Sequence, residues 1–315
     1  MLRDDSKCEL IVVIDMMMTS SARVADYVLP GVSNAEEEDL AAQGLAANMG
    51  YAILNNKVIE PYQESRGIYE IASGLAERFG QLDEFTEGRT HEEWVKETVE
   101  ASRKINPGMP SYEELKDIGI WKKANPPRIA LQEFRDDPEA NPLPMASGKI
   151  ELYSAEVEKK MATWQLPEGD VIAPVAAHVD TWEGAQEASQ SRKYPLQMIT
   201  HHFKGRTHTS YANVEWLIEA HPQQIWMSQV DAREWGITNR DTVEIFNDRG
   251  RMRIPAYVTP RMHPGVVSLP ENAWYLPDKD GVDTGGCPNT LTRNRPSALA
   301  KTNPQYTNLV QIEKV

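Results

Sequence analysis

Three of the seven histidines of this chain fall within eight residues, in the stretch 198-MITHHFKGRTHTSYAN-213. His201, His202 and His208 are interleaved there with Lys204 and Arg206 and followed by Thr209 and Ser210. Two chemistries could use such a set. As a metal site it is poor, because neighbouring side chains of an extended strand point to opposite faces and His201 and His202 would not readily share an ion. No thiolate or carboxylate nearby in the sequence completes a coordination shell. As a clasp for a bulky, anionic, heteroatom-rich ligand the stretch is better furnished. Arg206 offers a planar fork to phosphate oxygens, imidazoles donate or accept as required, and Thr209, Ser210 and free backbone amides form a hydrogen-bonding rim. A plain polar loop capping a strand is the alternative.

Other catalytic signatures fail. His91-Glu92-Glu93 opens like a zinc-protease motif, but Val95 stands where the second histidine belongs. There is no Gly-x-Gly-x-x-Gly, no glycine-rich phosphate loop and no Gly-x-Ser-x-Gly elbow. Lysine and arginine number 33 against 47 acids, a net charge of −14, which argues against general nucleic-acid binding. Cys8 and Cys287 are the only thiols, too few for an iron–sulfur cluster or a four-cysteine zinc site. No apolar run reaches the ~18 residues of a membrane span, and the start lacks the pattern of a signal peptide. The chain reaches 9-ELIVVI-14 almost at once, which raises the expectation that residues are missing upstream.

At 315 residues, 40% hydrophobic and 25% charged, the chain has the size of two soluble domains. The run 10-LIVVID-15 is apolar on both faces, as in a buried parallel strand ending in Asp15. A short helix is expected at 19–26, and 36-EEEDL-40 reads as a solvated face. Helical spacing of Ile68, Ile71, Ala72, Leu75 and Phe79 predicts a helix over 66–80 that packs on a sheet. Thr90 with Glu93 and Ser111 with Glu114 announce two more helices by capping boxes. A proline-rich excursion at 124–147 precedes a strand at 148–154 and a helix near 155–164. The stretch 166–193 reads as a linker over the surface, so the expected domains are 1–165 and 194–315. Beyond the linker come short strands with turn signals, the mark of a barrel or sandwich. They are placed at 194–200, 224–228, 242–247, 251–258, 265–269 and 308–314, with a hairpin turn at Asp248-Arg249-Gly250 and a short helix at 230–236.

Within this half the run 223–275 resembles the C-terminal domain of the molybdopterin oxidoreductases of the dimethyl sulfoxide reductase family. Its marks are Asp231-Ala232 opening a helix, Trp235-Gly236-Ile237 and Asp241 before a strand. The hairpin Arg249-Gly250 and the run His263-Pro264-Gly265-Val266-Val267 complete them. The tail 285-GGCPNTLTRNRPSALAKTNPQYTNLVQIEKV-315 fits too, most closely the anaerobic, membrane-associated subgroup. The start agrees, with Ala25-Asp26-x-x-Leu29-Pro30. The middle, about 81–190, matches least specifically.

The resemblance implies a partial Rossmann-like α/β domain followed by a double-psi β-barrel that closes over a pterin cofactor. It implies that His202, Arg206, His208 and Thr209 touch pterin or pyrophosphate, that Asn289 and Gln305 meet the pterin edge, and that Asn272 and Asp15 are further contacts. Asn289 also reads as a turn residue after Gly285-Gly286, and Asp15 as a strand end or helix cap. For a longer parent it implies oxygen-atom transfer from S-oxides or N-oxides at a molybdenum bis(molybdopterin guanine dinucleotide). It further implies an upstream 4Fe-4S cluster, an iron–sulfur electron-transfer subunit, a membrane anchor subunit, and export to the periplasmic face by a twin-arginine signal. The cluster cysteines and the serine ligand to molybdenum have no counterpart here. The expectation is therefore a C-terminal fragment, inert alone, with no metal ligand, no catalytic residue and little hold on the cofactor. Alternatives are a fragment of a selenate, nitrate or trimethylamine N-oxide reductase or formate dehydrogenase, or a non-catalytic barrel used as a binding module.

Overall fold

In the computed structural model, residues 4–42, 50–191, 193–303 and 306–315 are described. The chain divides by compactness into Met1–Pro142 and Leu143–Val315.

In the first unit, β1 (Val12–Asp15) pairs in parallel with β2 (Tyr27–Pro30), Val12 opposite Tyr27 and Asp15 opposite Pro30. The parallel sense agrees with the sequence, but the burial does not: Val12 is 48% and Ile14 38% exposed. Among the described residues the ladder has only these two strands, and no third strand covers them. Between the two strands the expected helix is a single 3-10 turn, Ala22–Val24. An antiparallel sheet comes next, β3 (Asp39–Ala42), β4 (Gly50–Asn55) and β5 (Ile120–Lys123) in that order.

The helices α1 (Ile68–Arg78), α2 (Leu82–Thr86), α3 (His91–Ile105) and α4 (Tyr112–Ile118) complete the unit. Both capping boxes are formed, Thr90 with Glu93 and Ser111 with Glu114. Their helices bury Val95, Val99, Tyr112 and Leu115 against Ala52 and Leu54 of β4. Expected packing of α1 on a sheet does not occur: none of its residues is buried, and Ile68 and Phe79 are 68% and 76% exposed. Its stripe has the right period, but the short α2 is what packs beside it, with Tyr69 stacked on Phe85, and Ile71 and Ala72 are only half-buried.

The acidic run at 36–40 is another correction. Glu36 is buried and accepts hydrogen bonds from the Ser33 backbone N–H and hydroxyl, both at 2.7 Å, and from the Tyr62 N–H at 2.6 Å. Glu38 pairs with Lys116 at 2.9 Å and accepts from the Tyr112 hydroxyl, and Asp39 opens β3. Fixed donors offset the cost of taking these carboxylates out of water.

In the second unit the expected strand 148–154 is reduced to one bridge, Tyr153 to Val175, with Leu152 84% exposed. A helix spans Ala155–Thr163, capped by the Ser154 hydroxyl. The expected linker lies as a strap across later residues of the same unit. Glu183 takes both guanidinium nitrogens of Arg249 at 2.7 and 2.8 Å and the Leu309 N–H at 2.9 Å, and Asp170 takes Arg295 at 2.6 Å.

Six strands then close a barrel: β6 (Leu196–His201), β7 (Ile225–Ser228), β8 (Thr242–Asn247), β9 (Gly250–Thr259), β10 (Val266–Pro270) and β11 (Asn308–Lys314). The ring order is β10-β6-β11-β8-β9-β7. Two pairs are parallel, β6 with β10 and β7 with β9, and the rest are antiparallel. Exchanging β10 with β7, β6 with β9 and β11 with β8 leaves the pairing pattern unchanged. This two-fold ring of interlocked crossovers is the double-psi barrel, and with the preceding unit the fold is α/β plus β. Alternate residues fill its centre, such as Leu196 and Met198 on β6, Val243 and Ile245 on β8 and Val267 and Leu269 on β10. The helix Gln229–Glu234 is capped by Ser228, and its Asp231 carboxylate also accepts the Gly265 N–H at 3.0 Å, seating the turn before β10.

One ion pair makes a testable contribution. Lys314 at 2.6 Å, helped by the Thr238 N–H at 2.7 Å, holds the Asp241 carboxyl down at about 2. A carboxyl depressed below its unfolded value, about 3.9, adds stability above that pH and loses it as pH falls through its folded value. Asp241→Asn is expected to lower the thermal midpoint of the barrel at pH 7 and to converge with the parent sequence near pH 2. Thermal unfolding across that window checks it.

Candidate functional site: three loops at one end of the barrel

Because β6 and β10 are parallel and His201 pairs with Pro270, the chain leaves both strands at the same end of the barrel. The histidine-rich loop 202–210 and the segment 271–276 therefore emerge side by side. A third segment, 283–290, reaches them through Gln223, which precedes β7. Its amide nitrogen donates to the Pro270 carbonyl at 2.8 Å and to the Gly286 carbonyl at 2.9 Å, and its amide oxygen accepts from the Arg206 guanidinium.

Arg206 is the centre of the cluster. Its Nε donates to the Glu271 carbonyl at 3.0 Å, and its guanidinium lies 4.3 Å over the Phe203 ring. Burial pulls its pKa down to about 10, with the Cys287 and Glu271 side chains opposing the shift. A cation held this way is partly stripped of water and keeps only neutral direct partners. His202 pairs its Nδ1 with the Glu271 carboxylate at 2.7 Å while the rest of its ring stays in solvent. On the other face of the strand His201 rests 4.9 Å from the Trp226 ring and 2.7 Å from the Ser268 hydroxyl, and burial lowers its pKa. The two imidazoles thus diverge, as alternation along a strand requires. Among the described residues no three His, Cys, Asp or Glu side chains gather as a metal site.

Further round the loop, His208 has φ 49°, a conformation in which non-glycine residues are uncommon, and Thr209 accepts the Trp274 indole N–H on its carbonyl at 2.9 Å. Asn272, with φ 66°, follows Glu271 directly. Asn289 sits exposed in the turn Pro288–Thr290, and its side chain accepts from the Thr292 hydroxyl at 3.3 Å. Arg206, His202, Thr209 and Asn272 are thereby joined by bonds through 271–274. Asn289 belongs to the segment tied in through Gly286. Gln305 lies outside the described residues. Asp15 belongs to the first unit, where its carboxylate accepts the Met17 N–H at 3.0 Å at the end of β1.

Asp283 organises the third segment. It is fully buried, and one carboxylate oxygen takes the Leu276 and Gly285 N–H groups, both at 2.9 Å. The other takes the Cys287 N–H at 2.7 Å and the Thr290 hydroxyl at 2.9 Å. Two glycines let the chain through. A Cβ on Gly285 would stand 2.0 Å from the Trp274 carbonyl oxygen, and Gly286 has φ 75° with its backbone against Gln223. The Cys287 thiol beside them is pushed up by burial.

Sequence reasoning does not single out Asp283, Gln223 or Glu271. An aspartate two residues before Gly-Gly is a legible turn signal for the first, since its side chain can take the N–H groups of the following turn. The other two carry no signal at all. Chemically the three loops present a half-buried guanidinium, imidazoles, hydroxyls and amides around one rim, a donor set for an anion with many heteroatoms.

Comparison with known proteins agrees in both halves. Residues 196–309 match the family model described as Molydopterin dinucleotide binding domain, and residues 1–78 match that of Molybdopterin oxidoreductase. The chain is 51% identical over 316 aligned positions to dimethyl sulfoxide reductase DmsA of Escherichia coli (strain K12), and 47% to that of Haemophilus influenzae. All of this chain is covered, but only 39% of either relative, so it spans about two-fifths of their length. Among solved structures, acetylene hydratase from Pelobacter acetylenicus shares the fold at a TM-score of 0.69 and 19% identity, over 98% of this chain and 40% of that one.

Proposed function

Since this chain belongs to the dimethyl sulfoxide reductase family of molybdopterin oxidoreductases, we propose that its barrel loops form one side of a molybdopterin guanine dinucleotide site. In the longer protein that site would serve S-oxide or N-oxide reduction. The observation that carries the reading is the convergence of loops 202–210, 271–276 and 283–290 on Arg206, whose direct partners are all uncharged. The residues present suit the group. An arginine plane pinned at Nε and Nη2 leaves Nη1 with no acceptor among the described residues, which fits a pyrophosphate oxygen. Thr209, Asn272 and Asn289 carry the neutral donors and acceptors that a pterin edge requires, and Gln305 and Asp15 are kept as further contacts on the resemblance alone.

When bound, the molybdenum centre supplies two-electron oxygen-atom transfer. What these residues do is bind and orient. Arg206 fixes an oxyanion, and Asp283 and Gln223 hold the backbone of 283–290 in place before any ligand arrives, so little ordering is left to oppose binding. His202 and His208 are proposed to donate at the rim. A clasp with one side leaves the opposite ligand face in water, so the polypeptide alone is proposed to turn over no sulfoxide. The 4Fe-4S cluster, the electron-transfer and anchor subunits and the periplasmic location belong to the same proposal for the longer protein. No helix of the described residues is long and apolar enough to cross a membrane. The domain limits 1–165 and 194–315 are likewise proposed.

The test is a titration of the chain with guanosine diphosphate followed by backbone amide resonances. Shifts are expected in 202–210 and 283–290, with dissociation constants near millimolar, and Arg206→Ala is expected to weaken binding about tenfold or more. Shifts scattered over both units, or none lost with Arg206, would overturn the reading.

A further inference from the structure

The Gln223 side chain ties together Arg206 of the first loop, Pro270 at the end of β10 and Gly286 of the third segment, and neither the sequence pattern nor the family resemblance gives it a role. We propose that Gln223 is a positioning residue that holds the Arg206 guanidinium in place while leaving its positive charge uncompensated, reserving that charge for an external oxyanion. The inference rests on the proposed cofactor reading and adds to it the reason an amide stands at this position.

The orientation of the amide comes from its neighbours. Its nitrogen faces two carbonyl oxygens, of Pro270 at 2.8 Å and Gly286 at 2.9 Å, and its oxygen faces the Arg206 Nη2. Turning it over would set donor against donor and acceptor against two acceptors. A carboxylate could take the guanidinium but has nothing to give either carbonyl. A lysine could serve the carbonyls but would repel the guanidinium. Only an amide does both, and it does so without charge. The remaining contacts keep to the same rule: a backbone carbonyl at Nε and an aromatic face beneath. The Glu271 carboxylate, whose charge acts on Arg206 without a direct bond to it, is turned to His202 at 2.7 Å. The fit is close as well, since a Cβ on Gly286 would meet the Gln223 Cγ at 2.7 Å. Position 286 therefore stays glycine for the amide to be reached.

Inorganic pyrophosphate is the probe, titrated into the full 315-residue chain. The readouts are the Arg206 Nε–H resonance and protection of Arg206 from phenylglyoxal. Gln223→Glu supplies an internal counter-ion and is expected to weaken pyrophosphate binding about tenfold or more, with the far-ultraviolet circular dichroism unchanged. Gln223→Met keeps the charge free but releases the plane, and is expected to weaken binding severalfold with an unaltered dependence on salt. Equal affinity of the parent chain and Gln223→Glu overturns this inference and leaves the cofactor reading standing. Equal affinity of the parent chain and Arg206→Ala overturns both. Should Gln223→Glu not fold, Gln223→Met decides alone, and unchanged affinity there refutes the positioning role.

Discussion

Replacing Asp283 by alanine is expected to destabilise the barrel unit by about 3–5 kcal/mol, the largest single-residue effect outside its apolar centre. The carboxylate is fully buried and takes four donors, the N–H groups of Leu276, Gly285 and Cys287 and the Thr290 hydroxyl. Its own backbone is paired as well, its carbonyl accepting from Arg253 N–H at 2.8 Å and its N–H donating to Arg251 at 3.1 Å. Alanine leaves three amides and a hydroxyl without acceptors in a closed space, where each unmet donor costs about 1–3 kcal/mol before relaxation. Asparagine should cost less, because one oxygen survives and the Thr290 hydroxyl can turn to accept. The Cys287 N–H then faces an amide nitrogen and stays unmet. Urea unfolding followed by tryptophan fluorescence should order the three proteins as native, asparagine, alanine. An alanine variant within about 1 kcal/mol of the parent would show that water replaces the carboxylate.

Gly285→Ala is expected to cost about 3 kcal/mol, for a steric reason rather than a polar one. The added carbon would lie 2.0 Å from the Trp274 carbonyl oxygen, and a backbone atom cannot swing aside as a side chain can. Either the 283–287 turn or the 274–276 segment must move, and the Thr284 N–H to Leu276 carbonyl bond, 3.0 Å long, separates with it. The internal contrast is Gly74 in α1, where a new Cβ meets nothing within 4 Å. There alanine should be neutral or stabilise by about 0.5–1 kcal/mol, because glycine in a helix interior is the less favourable residue. The pair of measurements separates close approach from backbone entropy. Equal effects at both positions would refute a steric origin at Gly285.

What could be read in advance divides along a physical line. Interactions that close within a turn or two of chain leave a spacing signature. The Thr90–Glu93 and Ser111–Glu114 boxes, the hairpin at Asp248-Arg249 and the six barrel strands all stand near their expected places. Period alone does not tell what lies over a stripe. Ile68, Leu75 and Phe79 of the α1 stripe and Val12 and Ile14 of β1 have the right rhythm and remain exposed. The acids of 36–40 look solvated because part of their donor set, at Tyr62, Tyr112 and Lys116, lies far along the sequence, although Ser33, three residues before Glu36, is a local donor. The candidate site shows the same division. The donor-rich loop around Arg206 is visible as composition. Gln223 is not, because its partners at 206, 270 and 286 are united only when parallel strands end side by side. Of the two adjacent histidines, the one expected to touch the cofactor, His202, lies in solvent on Glu271, while His201 is the half-buried one. A single alternation along the strand separates them, and composition is blind to it.

The barrel joins β6 to β8 only by way of β11, a strand that arrives after a stretch of chain as long as a small domain. Until residues 308–314 are synthesised and free to dock, both neighbours carry a row of open backbone groups, the kind of edge that recruits stray strands. Closure is thus a late, long-range event with a large loop entropy to overcome. A nascent chain stalled short of this segment would be sticky rather than half-functional, because the open edges of β6 and β8 have no strand to cover them.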